Sequence, residues 1–261
     1  MNGRTPCPRG FSLEKTLLSG QCFRWTLEGD TLCGIARGVP ARLRRNGDFV
    51  EFSGGDEALW RDYLDFDTDY DAIRREVIEL DERLAESAES CGSVRILRQD
   101  PFEALCSFII SQNNNIPRIR LIVSRLCELC GERAGDSYLF PTPQAIAALT
   151  TEQLTAIGCG YRADYLLGTA RSVVSGELLL EPLYTMPLEE AREILLSVRG
   201  IGPKVADCVL LYGFHRLECF PRDVWIKRAL AEGLVSEEVA HSRYAGVAQQ
   251  FVFEYIRTKG A

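Results

Sequence analysis

Three features are scarce in this sequence: long apolar runs, an apolar segment near the amino terminus and an excess of positive charge. No stretch approaches the ~20 consecutive apolar residues that a membrane-spanning helix needs, so we expect no membrane anchor. No apolar run follows the charges within residues 1–9, and we therefore expect no secretory signal and an intracellular protein. The formal net charge of −7 argues against indiscriminate nucleic-acid binding but allows a local basic face.

The ten cysteines of the sequence are scattered rather than clustered. In a chain with no expected secretory signal they should be reduced thiols, several of them buried. Cys127 and Cys130 form one close pair without a second pair or a nearby histidine, so we favour structural thiols over zinc or redox use. Only Cys219 follows Cys208, which argues against a four-cysteine iron–sulfur cluster there. We therefore expect no metal and no redox cofactor.

The hydrophobic pattern changes along the chain and predicts an α+β fold. Short alternating segments separated by glycine and proline occupy residues 1–55, which is typical of a small antiparallel sheet. From residue 56 onward, apolar residues recur every three or four positions, and this favours an almost entirely helical chain. We predict a β-rich domain with packing helices over 1–92 and a helical domain over 93–261. The helical domain would contain a hairpin and a catalytic loop over 196–223.

One stretch, which reads VRGIGPKVADC over residues 198–208, combines a tight turn with the start of a helix. Gly200 and Gly202 allow the backbone to bend sharply and to approach another molecule closely. Pro203 suits the first helical position, and Lys204 follows in the first turn, where free amide groups favour an anion such as a phosphate. Such a hairpin could bind DNA phosphates without sequence preference, or it could be only a turn that lets two helices pack against each other.

Asp223 gives the lysine of this hairpin a chemical partner. The helix that holds Lys204 spans ~10 residues and ~15 Å, whereas residues 214–222 can span up to ~30 Å when extended. The chain can therefore return and place Asp223 beside Lys204, and Asp223 also suits the N-cap of the next helix. A lysine nucleophile with a nearby carboxylate matches attack on a sugar carbon. We favour catalysis for the pair over a phosphate-contacting lysine and a simple cap.

Five segments of the sequence carry a resemblance to a known family. The stretch from Val198 to Asp223 looks like the helix–hairpin–helix and the Gly/Pro-rich loop with aspartate of the DNA base-excision glycosylases. Four further segments lie in the same order and at similar separations as in the 8-oxoguanine DNA glycosylase/lyase family: GQCFRW at 20–25, SQNNNIPRI at 111–119, GYRA at 160–163 and GVAQQFVF at 246–253. The resemblance extends from about Leu17 to Phe253, which is most of the chain.

This resemblance implies a bifunctional DNA glycosylase/AP lyase that excises 8-oxoguanine opposite cytosine from duplex DNA. Lys204 would attack C1′ of the damaged nucleotide, expel the base and form a Schiff base, and β-elimination would then cut the strand on its 3′ side. Asp223 would be the catalytic carboxylate. We further expect double-stranded DNA containing 8-oxoguanine as the partner, no cofactor, a monomer, and a location with the DNA of a nucleoid or nucleus.

The resemblance also implies a pocket for the damaged base, which must be extruded from the duplex. The backbone carbonyl of Gly20 would accept a hydrogen bond from N7–H of the oxidised guanine, a donor that normal guanine lacks. Gln249 would bond the Watson–Crick edge, and Phe253 and Cys208 would sandwich the flipped base. Discrimination against guanine would depend on the single bond to Gly20, worth ~1–3 kcal/mol if its partner is left unpaired.

Four further residues would contact the duplex where the base has been extruded. By the resemblance, Asn113 would fill the gap left by the extruded base and Tyr161 would wedge the stack, while Arg118 and Arg162 would read the orphaned cytosine. Taken without the resemblance, Asn113 is equally well explained as an ordinary helix cap and Tyr161 is better explained as a core aromatic residue.

The hairpin itself would bind a DNA strand through the backbone amides around Gly200 and Gly202. In this family the hairpin can also hold a monovalent or divalent cation through backbone carbonyls, here those of Leu196, Val198 and Ile201. Carbonyl groups leave no signature in a sequence, so this site depends on the resemblance alone.

Two alternative functions remain open from the sequence. The first is an alkylated-base DNA glycosylase of the same superfamily, but such an enzyme usually lacks the lysine and uses water, so Lys204 argues against it. The second is a non-enzymatic helix–hairpin–helix module that only binds DNA, which would more often be basic overall. Covalent trapping of Lys204 on damaged DNA distinguishes the main prediction from both.

Overall fold

A five-stranded antiparallel sheet organises the first part of the chain in the computed structural model, which describes residues 1–92 and 94–259. The strands lie in the order β1-β5-β4-β3-β2, so that β2 to β5 follow one another across the sheet. A second sheet pairs two short strands within the helical part. The strands are β1 (Gly3–Pro6), β2 (Trp25–Glu28), β3 (Thr31–Ala36), β4 (Val39–Asn46), β5 (Phe49–Ser53), β6 (Arg133–Ala134) and β7 (Ser137–Tyr138).

Thirteen α-helices and three short 3-10 helices make up most of the remaining described chain. The α-helices are α1 (Leu13–Leu18), α2 (Glu57–Tyr63), α3 (Tyr70–Leu80), α4 (Ala85–Cys91), α5 (Pro101–Ser111), α6 (Ile116–Cys130), α7 (Pro143–Ala147), α8 (Thr151–Ala156), α9 (Arg162–Ser175), α10 (Leu188–Ser197), α11 (Pro203–Phe214), α12 (Val224–Ala231) and α13 (Ala245–Lys259). The 3-10 helices are Glu82–Leu84, Glu181–Tyr184 and Val239–His241. None of these helices is both long and apolar enough to span a membrane.

The predicted α+β fold, with a β-rich first part and a helical second part, is confirmed. The features that were not predicted include β1, the hairpin of β6 and β7, and helix α1, which lies within the segment 1–55 that was predicted to form a sheet. The four residues of β1 are too few to show a pattern, and β1 is held by its pairing with the distant strand β5. Each strand of the second hairpin has only two residues, which also gives no periodic signal.

Buried hydrophobic side chains form two clusters. The sheet, α1 and α2 enclose the first cluster, in which Trp25 and Trp60 are fully buried with ring centroids 6.1 Å apart. Helices from α3 to α13 enclose the second, so α3 and α4 join the helical core, although the sequence favoured their packing on the sheet. The domain boundary between residues 92 and 93 stays a prediction, and Ser93 lies outside the described residues.

A buried carboxylate ties the loop after α2 to the end of α11. Asp65 is 2% exposed and lies 2.9 Å from Nη2 of Arg98 and 3.0 Å from Nε2 of His215, the residue that caps α11. The hydroxyl of Tyr70 also donates to Asp65, at 3.0 Å. Burial alone would raise the pKa of Asp65, but the hydrogen bond and charge of His215, together with Arg98, outweigh it and hold the pKa at about 2.

We predict that Asp65→Asn lowers the free energy of unfolding at pH 7 by about 2 kcal/mol, because each pKa unit is worth about 1.4 kcal/mol. The carboxylate is more acidic in the folded state, so its stabilisation is present above its ordinary pKa of 3.8 and is lost as the pH falls through about 2. Urea unfolding of both proteins between pH 7 and pH 2 measures this. Asp62→Asn is the control, since its side chain is 55% exposed and a surface pair contributes less than about 1 kcal/mol. Equal stability of the Asp65 variant and the wild-type protein at pH 7 would contradict the assignment.

Candidate active site

A cleft of about 740 Å³ lies where the helices α5, α6, α11, α12 and α13 approach the segment around Gly20. Its volume is in the range of sites that hold small molecules or single bases. The cleft brings together six of the residues predicted for the site: Gly20, Asn113, Gly202, Lys204, Asp223 and Phe253. These six residues are up to 233 positions apart in the chain (253 − 20), so the fold alone assembles them.

The predicted hairpin joins α10 to α11 through residues 198–202. Gly200 has a φ of 91°, and a Cβ atom there would lie 2.2 Å from Cγ of Tyr165, so only glycine fits. The side-chain amide of Gln112 donates to the carbonyl of Gly200 at 3.0 Å and ties the hairpin to the loop after α5. Gly202 is the N-cap of α11 and supplies no side-chain cap, so the first-turn amides of α11 remain for a ligand.

Lys204 stands in the first turn of α11 and faces the cleft. Its Nζ atom donates to Oγ of Ser111 at 3.4 Å and lies 5.5 Å from the ring centroid of Phe108. These two contacts are with a hydroxyl and an aromatic face, and they hold the side chain toward the cleft. Lys204 is half-buried. Its amine is held in place and can reach a ligand in the cleft.

Asp223 is the N-cap of α12, as predicted. Its carboxylate accepts a hydrogen bond from the backbone amide of Ile226 at 2.9 Å, which fixes the side chain at the edge of the cleft. Burial raises the pKa of Asp223 above its ordinary value, while the amide of Ile226 and the charge of Lys204 act in the opposite direction. Asp223 and Lys204 thus line one cleft and interact electrostatically, which is the arrangement that the chain length allowed.

Gly20 also lines the cleft and lies close to an aromatic ring. It has a φ of 90°, and a Cβ atom there would lie 3.0 Å from Cδ1 of Ile116 and 3.9 Å from Cε1 of Phe253. The Gly20 backbone therefore approaches the ring that is predicted to stack on the base. Cys208 is buried one turn after Lys204, and burial raises the pKa of its thiol to about 11, so the group is neutral at pH 7.

Gln21 fixes the position of Gly20. It is 1% exposed, and its amide nitrogen donates to the carbonyls of Thr16 at 2.9 Å and Arg95 at 2.8 Å. Its amide oxygen accepts from the backbone amide of Leu97 at 2.9 Å. Because all three bonds are buried and made to the backbone, they hold the Gly20 segment rigidly against the chain that enters α5. This role of Gln21 was not predicted, and the available signal was its position in the segment 20–25.

Like Cys208, Gln249 is a predicted base contact that does not line the cleft. It is 4% exposed, and its amide oxygen accepts from the hydroxyl of Tyr212 at 3.3 Å. The same hydroxyl lies 2.8 Å from the amide oxygen of Gln250, and one proton cannot satisfy both acceptors fully. The longer bond to Gln249 is thus the weaker of the two, and a side-chain rotation is needed to bring Gln249 to a base.

The loop between α5 and α6 gathers the residues predicted to handle the distorted duplex. Asn113 has a φ of 49°, and its amide donates to the hydroxyl of Tyr161, which is 50% exposed, at 3.1 Å. A smaller cavity of about 480 Å³ adjoins this loop and is lined by Asn113, Asn114, Asn115, Arg118 and Arg162. The predicted gap filler, wedge and opposite-base readers therefore lie together.

The two arginines of this cavity differ in solvent exposure and in hydrogen bonding. Arg162 is 6% exposed, and its guanidinium donates to the carbonyl of Gln112 at 2.7 Å and to that of Asn113 at 3.3 Å. These bonds shape the loop before any DNA binds. Arg118 is exposed in the first turn of α6, so it is the freer cation for an orphaned base.

The residues that line the cleft but were not predicted as site residues include Ser111, Gln112 and Arg257. Ser111 and Gln112 directly precede the asparagine run, and their positions in the chain were the available signal. Arg257 follows Phe253 by one helical turn, so helix periodicity would have placed both on one face.

The predicted carbonyl site for a cation stays a prediction. The carbonyl of Val198 accepts a hydrogen bond from the amide of Ile201 at 3.0 Å, which closes the hairpin turn. In residues 1–92 and 94–259, no group of three or more His, Cys, Asp or Glu side chains is arranged to hold a metal ion.

Two family models match consecutive parts of the chain. The model for the N-terminal domain of 8-oxoguanine DNA glycosylase matches residues 4–105, and that for HhH-GPD superfamily base excision DNA repair proteins matches residues 106–244. The two matches together extend from the sheet through the hairpin and the catalytic loop. The chain belongs to the 8-oxoguanine DNA glycosylase family. The identification made from the five segments is thereby confirmed.

Relatives of this family match over nearly the whole chain. MBOgg1, solved in complex with a low affinity DNA ligand, is 35% identical with a TM-score of 0.91, covering 99% of this chain and 96% of that one. The 8-oxoguanine glycosylase/lyase of Clostridium acetobutylicum, solved with double-stranded DNA containing cytosine opposite 8-oxoguanine, is 33% identical with a TM-score of 0.90 and coverages of 97% and 93%. The N-glycosylase/DNA lyase OGG1 of Arabidopsis thaliana is 29% identical over 97% of this chain and 78% of its own length.

Proposed function

We propose that the chain is a bifunctional DNA glycosylase/AP lyase that releases 8-oxoguanine, paired with cytosine, from duplex DNA. The observation that carries the proposal is Lys204, an amine that faces the cleft in the first turn of α11 beside the capping carboxylate Asp223. Membership of the 8-oxoguanine DNA glycosylase family supplies the substrate class. Such an enzyme acts on intracellular DNA, in a nucleoid or nucleus depending on the organism, and we expect it to act as a monomer.

In the reaction, the neutral amine of Lys204 attacks C1′ of the damaged nucleotide, and the N-glycosidic bond breaks with its electron pair leaving on the base. Asp223 stabilises the positive charge that develops on the sugar. The nitrogen-linked sugar then opens to a Schiff base, and loss of a C2′ proton expels the 3′ phosphate. Hydrolysis of the Schiff base returns the free Lys204 amine.

Recognition of the base would use residues that line the cleft together with two buried residues beside it. The carbonyl of Gly20 accepts N7–H of the oxidised base, Phe253 and Cys208 contact its two faces, and Gln249 turns to meet its Watson–Crick edge. The thiol of Cys208 is buried and neutral, so it offers an apolar surface rather than a competing nucleophile.

The DNA around the lesion would be held by the hairpin and by the asparagine loop. First-turn amides around Gly200 and Gly202 face a phosphate, Asn113 and Tyr161 enter the stack, and Arg118 reads the orphaned cytosine. Arg162 supports that reading by holding the loop carbonyls in place.

Four matched duplexes test the function. They carry 8-oxoguanine opposite cytosine, 8-oxoguanine opposite adenine, undamaged guanine opposite cytosine, and 7-methylguanine opposite cytosine. We expect base release and alkali-independent strand cleavage on the first duplex, at a rate about 10–100-fold above that on the second, because a lost bidentate base contact is worth ~1–3 kcal/mol. We expect neither product from the undamaged duplex.

The alternatives give different results on the same four duplexes. An alkylated-base glycosylase would release 7-methylguanine in preference and leave the strand uncut. A hairpin module that only binds DNA would shift the mobility of every duplex and release no base from any of them. Either pattern would contradict the proposed function.

A further inference from the structure

Arg257 lines the cleft, although no part of the proposed reaction uses it. It follows Phe253 by four residues and Gln249 by eight on α13, so the three residues share one helix face. A rise of 1.5 Å per residue separates Gln249 from Arg257 by ~12 Å along the axis, with Phe253 midway. A flat purine stacked on Phe253 would therefore have one end toward Gln249 and the other toward Arg257.

A buried carboxylate holds Arg257 in a fixed orientation. The side chain of Glu254 is 4% exposed, and it accepts from Nη2 of Arg257 at 2.9 Å and from Nε at 3.2 Å. A two-point contact of this kind fixes the plane of a guanidinium group. Within the described residues, Nη1 of Arg257 has no hydrogen-bond partner, and 37% of the side chain remains exposed. The Nη1 group of Arg257 is thus available to donate a hydrogen bond, and Glu254 fixes its orientation.

A second cation stands near Arg257. Arg120 follows Ile116 by one turn on α6, and Ile116 is the residue that contacts the Gly20 segment. Burial lowers the pKa of Arg120, and the charge of Arg257 lowers it further, while the Nε atom of Arg120 is buried without a hydrogen-bond partner. Arg120 does not itself line this cleft, but its repulsion of Arg257 favours a ligand of Arg257 that brings oxygen atoms or negative charge.

We propose that Arg257, positioned by Glu254, donates a hydrogen bond from Nη1 to the C8 oxygen of the flipped oxidised base. This inference rests on the proposed function. If Gln249 meets the Watson–Crick edge, the imidazole edge of the purine points toward Arg257 and Gly20, since these two edges are at opposite ends of the base. Guanine has a C8–H group where the oxidised base has an oxygen, so only the lesion satisfies the donor. The same contact stabilises the negative charge that the base acquires as its bond to C1′ breaks.

Two DNA substrates separate a base contact from a general effect on the cleft. Single-turnover release of 8-oxoguanine requires the base, whereas β-elimination at a preformed abasic site requires only Lys204 and the sugar. We expect Arg257→Met to slow base release about 10–100-fold and to change abasic-site cleavage by less than about 2-fold. Arg257→Lys keeps a charged donor but lacks the planar guanidinium group, so it should release the base faster than Arg257→Met and more slowly than the wild-type protein.

Affinity for uncleavable DNA gives an independent measurement. With a 2′-fluoro analogue of the 8-oxoguanosine duplex, Arg257→Met should bind about 10-fold more weakly, and its affinity for the matched guanosine duplex should not change. Glu254→Gln should produce the same selective loss at smaller size, because it only loosens the orientation of Arg257. Arg243→Met is the matched control, since Arg243 is exposed on the loop before α13 and pairs with Glu76; it should behave as the wild-type protein.

Two results would overturn this contact: base release by Arg257→Met at the wild-type rate, or an equal loss of base release and abasic-site cleavage. Equal weakening on the lesion and guanosine duplexes would also overturn it, because the arginine would then be a general DNA contact. If the wild-type protein releases no 8-oxoguanine, the proposed function fails first and this contact fails with it.

Discussion

Replacing Lys204 with glutamine should abolish 8-oxoguanine release, strand cleavage and the covalent adduct with DNA. Glutamine keeps most of the length of lysine and can still donate to Ser111, but its amide cannot attack C1′. We expect the single-turnover rate of base release to fall by more than about 10³-fold, since removal of a catalytic nucleophile leaves only binding and electrostatic contributions. Denaturing gels of the cleaved strand and chromatography of the released base measure the two products.

Lys227→Gln is the matched control for this variant. Lys227 also lines the cleft but lies on the exposed side of α12, outside the predicted catalytic pair. It should retain base release within a few-fold, and both variants should still bind DNA. Persistent base release and strand cleavage by the Lys204 variant would show that another group is the nucleophile.

The second large effect is expected for Asp223→Asn. Asparagine is as good an N-cap as aspartate, so α12 should keep its start and the protein its stability. The change removes the negative charge that faces the sugar, and we expect base release to fall about 10²–10⁴-fold. DNA binding should be retained, which would separate catalysis from recognition.

The environment of Asp223 also predicts a pH dependence. Burial raises the pKa of this carboxyl group, and the charged form is the one that stabilises a cationic sugar. The rate of base release should therefore fall on the acid side at a pH above that expected for an ordinary aspartate.

Thermal melting of Asp223→Asn is the check on folding, and an unchanged rate in a folded variant would contradict the assigned role.

The local sequence was sufficient for the helical hairpin and its neighbours. Gly200, Gly202 and Pro203 specify a turn followed by a helix start, and these requirements act within a few residues. Asp223 could be placed beside Lys204 because the intervening chain is long enough to return and because aspartate favours an N-cap. The hairpin thus follows from short-range rules, and the approach of Asp223 to Lys204 follows from the length of the connecting chain and the N-cap preference.

Other features depend on distant partners and could not be inferred from the sequence. The rotation of Gln249 toward Tyr212, and the binding of Arg162 to the carbonyls of Gln112 and Asn113, are side-chain choices made by packing between separate elements. Strand β1 exists only because β5 pairs with it. Arg257 lies four residues beyond Phe253, where the family resemblance ends, so none of the matched segments includes it.

The central claim is that Lys204 forms the covalent bond to the damaged nucleotide. Borohydride reduction of the wild-type protein on the 8-oxoguanine duplex, followed by proteolysis and mass spectrometry, identifies the residue that carries the DNA fragment. We predict a single modified peptide with the added mass on Lys204, and no adduct with the undamaged duplex. An adduct on any other amine, or base release with no trapped species at all, would contradict the account.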